Sequence, residues 1–345
     1  MTMSSGAVRW ERPRYSRSQV AKCGKRLAKD SVLQSGDLDI LHNWRACHAY
    51  VLSIFVQGLN RKIKSLELGG IVVTQRLKMK STIVDKLIQG RSMDLSSMHD
   101  IAGCRVICNN LTELEKIRTA FNSRRVLHRR VSDEKFNYLC NPKASGYRGI
   151  HDVFSHESKM GEMALWNNLK VEVQYRTHVQ HAWATGVEVC DRIFKDRLKF
   201  GQGETDHAKL FSLWSELLAR HLEGMNSCHP ELPGDELARE VLRLDAHKKV
   251  LDAFGKLSSF KGKIKSGKNL LLSIGEDQKP KVESFPSFPK ALAAAEEVER
   301  QGSAGAFAVA VRGRNTNELR SAFRNYFNDT QELTNLVRDS LDSLT

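Results

Sequence analysis

Two acidic residues, far apart in the chain, raise the question of chemistry. Asp100 stands in MHDIAGCRVIC (98–108), with Arg105 five positions on, and Glu172 stands in LKVEVQYRT (169–177). Side chains of a strand alternate, so Val171, Val173 and Tyr175 take one face while Glu172, Gln174 and Arg176 take the other. A carboxylate, an amide and a guanidinium in a row suit a charged substrate, although a solvated outer strand face has the same pattern. If the strands near 103–109 and 169–177 pair, Asp100 and Glu172 can share a magnesium ion. Mg²⁺ typically takes one or two protein carboxylates and leaves its other positions to phosphate and water.

Cations gather in two further stretches. QRLKMKSTIVDKL (75–87) holds Arg76, Lys78, Lys80 and Lys86, with Ser81 and Thr82 between them. Lys78 and Lys86 share a helical face if the helix reaches back that far. Such a cluster is either a solvated basic face or a clamp on a nucleotide's phosphates. In NPKASGYRGIH (141–151), Gly146 permits a tight turn. Lys143 then offers an ammonium to phosphate, and Tyr147 a flat ring for a nucleobase, a stacking worth about 1–3 kcal/mol. The alternative is a surface loop whose tyrosine packs on the core.

Other motifs fail. GxxxxGK[ST] is absent, which excludes a P-loop. His99-Asp100 lacks the further histidines and aspartates a metal-dependent phosphohydrolase needs. His178-x-x-His181 lacks a third ligand at useful spacing and reads as a helical face. The seven cysteines are scattered without a CxxC, so buried free thiols are expected rather than disulfides or a zinc ribbon.

The elements that must position these residues follow from periodicity. Leu41, Trp44, Val51, Phe55, Leu59 and Ile63 recur at helical spacing over 37–66, as one amphipathic helix or two. STIVDKLIQG continues as a helix stopped by Gly90. Strands are expected at 103–109, 147–156 and 169–177, with a helix over 111–121 and a long one from Thr177 to about Asp196. This mixture predicts an α+β fold, a mixed sheet with flanking helices. GQGETD (201–206) reads as a loop closing the unit. Beyond it come helix near FSLWSELLARHL, a strand NLLLSI, a proline-punctuated loop, a helix PKALAAAEEVERQ, a strand GAFAVAVRG and a helix NELRSAFRNYF, a small accessory α+β extension. The expected organisation is a basic segment over 1–36, a catalytic domain over 37–204 and an accessory region over 205–345.

With 345 residues, 41% apolar and 27% charged, the chain has an ordinary globular composition. No apolar run approaches a membrane span and the basic N-terminus has no apolar stretch behind it, so the sequence reads as cytoplasmic. The net charge of +14 favours polyanionic partners: nucleotides, RNA or acidic surfaces.

Taken in order, R-L-K with its basic helix, D-I-A-G-C-R, P-K-A-S-G-Y-R-G-I-H and V-E-V-Q-Y-R-T resemble the synthetase domain of the RelA/SpoT family of alarmone enzymes, over roughly Arg76 to Ile193. The chain is similar to a short, synthetase-only member with its own C-terminal extension. The resemblance implies a nucleotidyltransferase-like domain that moves pyrophosphate from ATP to the 3′-hydroxyl of GDP or GTP, making (p)ppGpp and AMP. It implies that Arg76, Lys78, Lys86 and Thr82 contact ATP, and that Asp100 and Glu172 hold Mg²⁺. Glu172 would also take the hydroxyl proton, with Gln174 and Arg176 lining the catalytic face. Tyr147 would stack on guanine, while Lys143 and His151 would meet phosphates. Two positions depart from the family pattern: its serine falls at Thr82 beside Ser81, and a basic residue expected before the lysine loop falls at Phe136 beside Lys135. The second departure bears on acceptor choice. Some short members resemble toxins that pyrophosphorylate the 3′ end of tRNA, and a silent nucleotide- or RNA-binding module is the reading from a different class. The region beyond about residue 205 is expected to serve regulation or homo-oligomer assembly.

Overall fold

The computed structural model describes residues 10–29, 35–92, 94–123, 128–132, 134–194, 198, 205–258, 269–274, 280–287, 290–291, 293–294, 297–298, 307–312 and 316–343. They form two compact units, one of residues 1–141 with 149–177 and one of residues 142–148 with 178–345. The chain passes from the first unit to the second after Thr177, and the N-terminal segment belongs to the first.

The first unit is a mixed sheet flanked by helices. Helices α1 (Arg17–Lys29) and α2 (Ser35–Ser65) lead into β1 (Val72–Leu77), α3 (Lys80–Ile88), β2 (Ala102–Cys108), α4 (Leu111–Phe121), β3 (Arg129–Arg130), β4 (Ile150–Ser155) and β5 (Lys170–Thr177). Among the described residues the sheet order is β1-β2-β5-β4-β3. The β2–β5 pair is parallel and the other pairs are antiparallel.

The expected amphipathic stretch is one continuous helix, α2, and all six apolar positions of its stripe are buried. They pack with Ile117 and Phe121 of α4 against Cys104, Val106, Val171, Val173 and Tyr175 on one face of the sheet. Burial of this kind contributes roughly 25 cal/mol per Å² of apolar surface. Helix α4 starts where the Asn110 side chain accepts from the Glu113 N–H at 2.9 Å, a side-chain cap for an otherwise orphaned donor. It is tied to the sheet by Arg118, whose Nε donates to the buried Asp152 carboxylate at 3.0 Å. Arg130 and Asn122 reach the same carboxylate at 3.0 and 2.9 Å. Helix α3 stops as expected, with Gly90 at φ 64° and its N–H on the Leu87 carbonyl.

Helix α1 and strand β1 are among the elements the sequence reading did not anticipate. The basic segment contains helix α1, which buries Val20, Cys23 and Leu27 on one side. Strand β1, which is not among the expected strands, carries Arg76.

The second unit holds α5 (His178–Ile193), α6 (Thr205–Glu223), α7 (Gly234–Lys248), α8 (Val250–Ser258), strands β6 (Asn269–Ile274), β7 (Pro280–Ser284) and β8 (Phe307–Arg312), and α9, the C-terminal helix Thr316–Asp342. Its core joins Trp183, Phe211, Trp214, Phe254, Leu333 and Val337. The three strands pair antiparallel in the order β7-β6-β8. NLLLSI and the described residues 307–312 of GAFAVAVRG are thus strands, and the expected proline-punctuated loop contains an edge strand with Pro280 at its first position. Of the loop expected at 201–206, residues 201–204 lie outside the described residues and 205–206 begin α6. The helix expected at 289–301 is described only in part.

Candidate active site

The sheet face opposite α2 and α4 carries the polar side chains, and strand register decides which of them become neighbours. Arg76, Gly103, Glu172 and Val153 form one row across β1, β2, β5 and β4. The next row is Thr74, Arg105, Gln174 and His151. The alternation expected for 169–177 holds: Val171, Val173 and Tyr175 are fully buried in the core, while Glu172 and Gln174 stand half-buried on the other face.

Glu172 is closely held. His151 Nδ1 lies 3.0 Å from one carboxylate oxygen, and Gln174 Nε2 donates to the other at 2.7 Å. Arg176 reaches Gln174 Oε1 at 3.5 Å, extending the row. Burial pushes the Glu172 carboxyl up, but His151 and Gln174, with the charge of Lys86 behind them, outweigh it and bring the group down to about 2. It is therefore an anion throughout the neutral range.

Asp100 lies in the turn just before β2 and is gripped by two ammonium groups. Lys78 Nζ is 2.8 Å from one oxygen and Lys86 Nζ is 2.9 Å from the other. Burial pushes this carboxyl up and the two lysines, which outweigh it, hold it below the usual carboxylate range. The route to this arrangement differs from the sequence expectation. Helix α3 begins at Lys80, so Lys78 is not on a helical face with Lys86. Its backbone N–H instead donates to the Ile101 carbonyl at 2.8 Å, which keeps it in the extended turn after β1. Two elements, rather than one helix face, bring the lysines to Asp100. Arg45 of α2, unremarked in the sequence, supports that turn by donating to the Lys78 carbonyl at 2.7 Å.

Lys86 links the two acids: it is salt-bridged to Asp100, and its charge also lowers Glu172. The two carboxylates are hard oxygen donors of the kind a divalent cation takes; here both Asp100 oxygens are held by the lysine ammonium groups. Among the described residues no group of three or more His, Cys, Asp or Glu side chains is placed to hold a metal ion. Arg76 is exposed on β1, and Thr82 is half-buried in the first turn of α3. With Lys78 and Lys86 they make the cationic and hydroxyl-bearing margin of this face.

Lys143 and Tyr147 belong to the second unit. The Lys143 Nζ stands 5.2 Å from the centre of the Tyr147 ring, within cation–π range. Gly146 sits at φ 86°, a conformation only glycine adopts readily, and its N–H closes a turn on the Lys143 carbonyl at 2.8 Å. Tyr147 is half-buried against that unit's core, edge-on to Trp183.

Residues 75–195 match the family model described as a region found in RelA / SpoT proteins. GTP pyrophosphokinase YwaC of Bacillus subtilis (strain 168) is 29% identical over 115 residues, which is 32% of this chain and 52% of that protein. The chain thus spans about half the length of the curated relative it matches. Similar solved structures include small alarmone synthetase 1 of Bacillus subtilis bound to its product pppGpp, with 19% identity, TM-score 0.40 and coverage of 58% of this chain and 92% of the other. A GTP pyrophosphokinase family protein from Streptococcus pneumoniae gives 20% identity, TM-score 0.43 and coverage of 61% and 98%.

Proposed function

We propose, on the premise that residues 75–195 are a RelA/SpoT region, that this chain is a (p)ppGpp synthetase that transfers pyrophosphate from ATP to the 3′-hydroxyl of GDP or GTP. The observation that carries the reading is the pairing of two anchored carboxylates, Asp100 and Glu172, with the Lys78 and Lys86 ammonium groups at one face of the sheet.

In this reading the acceptor 3′-oxygen forms a bond to the β-phosphorus of ATP while the bond from that phosphorus to the α,β-bridging oxygen breaks, and AMP leaves. Transfer of this type asks the protein mainly for alignment and charge neutralisation. Arg76, Lys78 and Lys86 bind the ATP phosphates, with Thr82 donating its hydroxyl. Glu172 orients the acceptor hydroxyl and accepts its proton, while Gln174 and His151 fix the carboxylate's rotamer and Arg176 holds Gln174. Asp100 and Glu172 are the residues that would hold Mg²⁺, which when bound neutralises charge on the transferred phosphates. Tyr147 stacks on guanine, and Lys143 binds the acceptor phosphates. The synthetase domain is taken as 37–204, acting in the cytoplasm; no helix among the described residues is long and apolar enough to cross a membrane.

Purified protein given ATP labelled in its β-phosphate, Mg²⁺, GDP, GTP and tRNA together should yield AMP and a labelled 3′-pyrophosphorylated guanosine nucleotide. Label on tRNA instead would move the acceptor to a polynucleotide, as the charge of +14 would permit. No label on any acceptor, in folded protein that binds nucleotide, would leave a binding module.

A further inference from the structure

The matched region ends at residue 195, yet the loop that carries Lys143 and Tyr147 is fastened to a helix beyond it. Helix α6 meets this loop at three points. A β-carbon on Gly146 would lie 2.8 Å from the Ser215 Cβ and 3.0 Å from the Ser212 Cα, so the loop backbone lies directly on the helix. The Ser215 hydroxyl donates to the Gly146 carbonyl at 2.5 Å and accepts from Arg148 Nε at 3.1 Å. Arg148 then pairs with Glu223 in the last turn of α6, and Gln180 Nε2 donates to the second Glu223 oxygen at 3.0 Å.

This is a buried arrangement. Arg148 and Ser215 are 2% and 1% exposed, and Gln180 is 2% exposed. A guanidinium so enclosed stays in place only while its carboxylate is present, because removing one partner leaves an uncompensated buried charge. Arg148 follows Tyr147 directly, so fixing it also fixes where the tyrosine backbone leaves the turn. The Lys143 N–H on the Tyr147 carbonyl at 3.3 Å passes that constraint across the loop.

We infer that α6 is the positioning element of the acceptor loop, with Glu223 and Ser215 as positioning residues that act on guanosine binding through Arg148 and Gly146. The inference deepens the proposed function and rests on it for the identity of the ligand. It assigns to residues beyond 205 a part in acceptor binding, where the sequence suggested only regulation or assembly.

The test uses the full chain with Glu223→Gln, which keeps shape and removes charge, and Ser215→Ala, which deletes one hydroxyl and guards against a folding failure in the first. GDP affinity is measured by titration calorimetry, KM values for acceptor and ATP by turnover, and amide exchange in peptides spanning 142–148. Weakening of GDP binding by about tenfold or more, with the acceptor KM rising, the ATP KM within twofold of wild type and exchange faster in 142–148, is the expected result. A folded variant with wild-type GDP affinity and wild-type loop exchange would overturn the inference, as would equal losses for ATP and acceptor. If the wild type makes no pyrophosphorylated product the functional reading falls, while GDP affinity and loop exchange still decide whether α6 sets the loop.

Discussion

Gly103 and Glu172 are register partners across the parallel β2–β5 pair, and Arg76 is the partner of Gly103 on its other side. A β-carbon on Gly103 would meet nothing nearer than the Glu172 carbonyl oxygen at 3.9 Å. Packing therefore does not demand glycine here, but a bare position does leave room on the face between a cation and a carboxylate. Gly103→Ala should keep its melting temperature within a few degrees of wild type, since surface-like changes without steric conflict stay near ±0.5 kcal/mol. Turnover should fall about tenfold. A clear loss of stability by thermal unfolding would show that the backbone, rather than the open space, requires the glycine.

Asp100 is the shared counter-ion of Lys78 and Lys86, so its removal should act twice. Asp100→Asn is expected to abolish turnover and to cost about 2 kcal/mol, because Lys78 is left only 11% exposed without its partner. Adding Lys78→Met should return part of the stability and none of the activity. Urea unfolding of both single variants and the double variant gives the coupling directly; additive costs would mean that the pair is not energetically linked.

Glu172→Gln preserves the size of the side chain and removes the charge on which His151 and the proposed metal site depend. Turnover should drop by about a thousandfold, roughly 4 kcal/mol of transition-state stabilisation, with nucleotide affinity within a few-fold. Chelation of divalent ions should silence the wild type reversibly, with Mg²⁺ restoring it. Normal turnover in the variant or in excess chelator, followed by AMP release, would remove Glu172 or the metal from the mechanism.

Stability should also depend on pH through histidines away from the site. Burial pushes both His48 and His128 down to about 4, with His48 donating its Nδ1 proton to the Trp44 carbonyl. The unfolded chain takes up these protons near 6.5, before the folded state does. Stability is thus full above that value and is lost as pH falls from about 6.5 towards 4, by up to about 3 kcal/mol for the enclosed His48 and by less for His128, which solvent reaches. His48→Phe should flatten part of this decline in urea unfolding across that window. An unchanged slope would place the proton uptake elsewhere.

Periodicity carried the reading of α2, β2, α4 and β5, because each buries a regular stripe and one rule governs each stripe. Strand β1 lacked that signal. It is an edge strand with Val72 half-exposed, and Arg76, Gln75 and Thr74 all reach solvent, so neither alternation nor an apolar run marks it. The common face of Glu172, Gln174 and Arg176 was legible, since two-residue spacing in one strand fixes it. The grip of Lys78 and Lys86 on Asp100 was not, because it joins a turn to a helix at a third element. Arg148 and Glu223 lie seventy-five positions apart, and no local pattern connects a loop arginine to the end of a later helix. Long-range polar pairing of this kind depends on the tertiary path, which single-sequence periodicity does not encode.

Strand β5 is the last strand of its sheet to be synthesised and lies at its middle, between β2 and β4. Until Lys170–Thr177 leaves the ribosome, those two strands each present an unpaired edge, a state open to association with other chains. Closing so distant a pairing is slow relative to local helix formation. A nascent chain halted before Lys170 lacks both Glu172 and the strand that covers these edges, so the proposed alarmone synthesis can begin only after translation has passed β5.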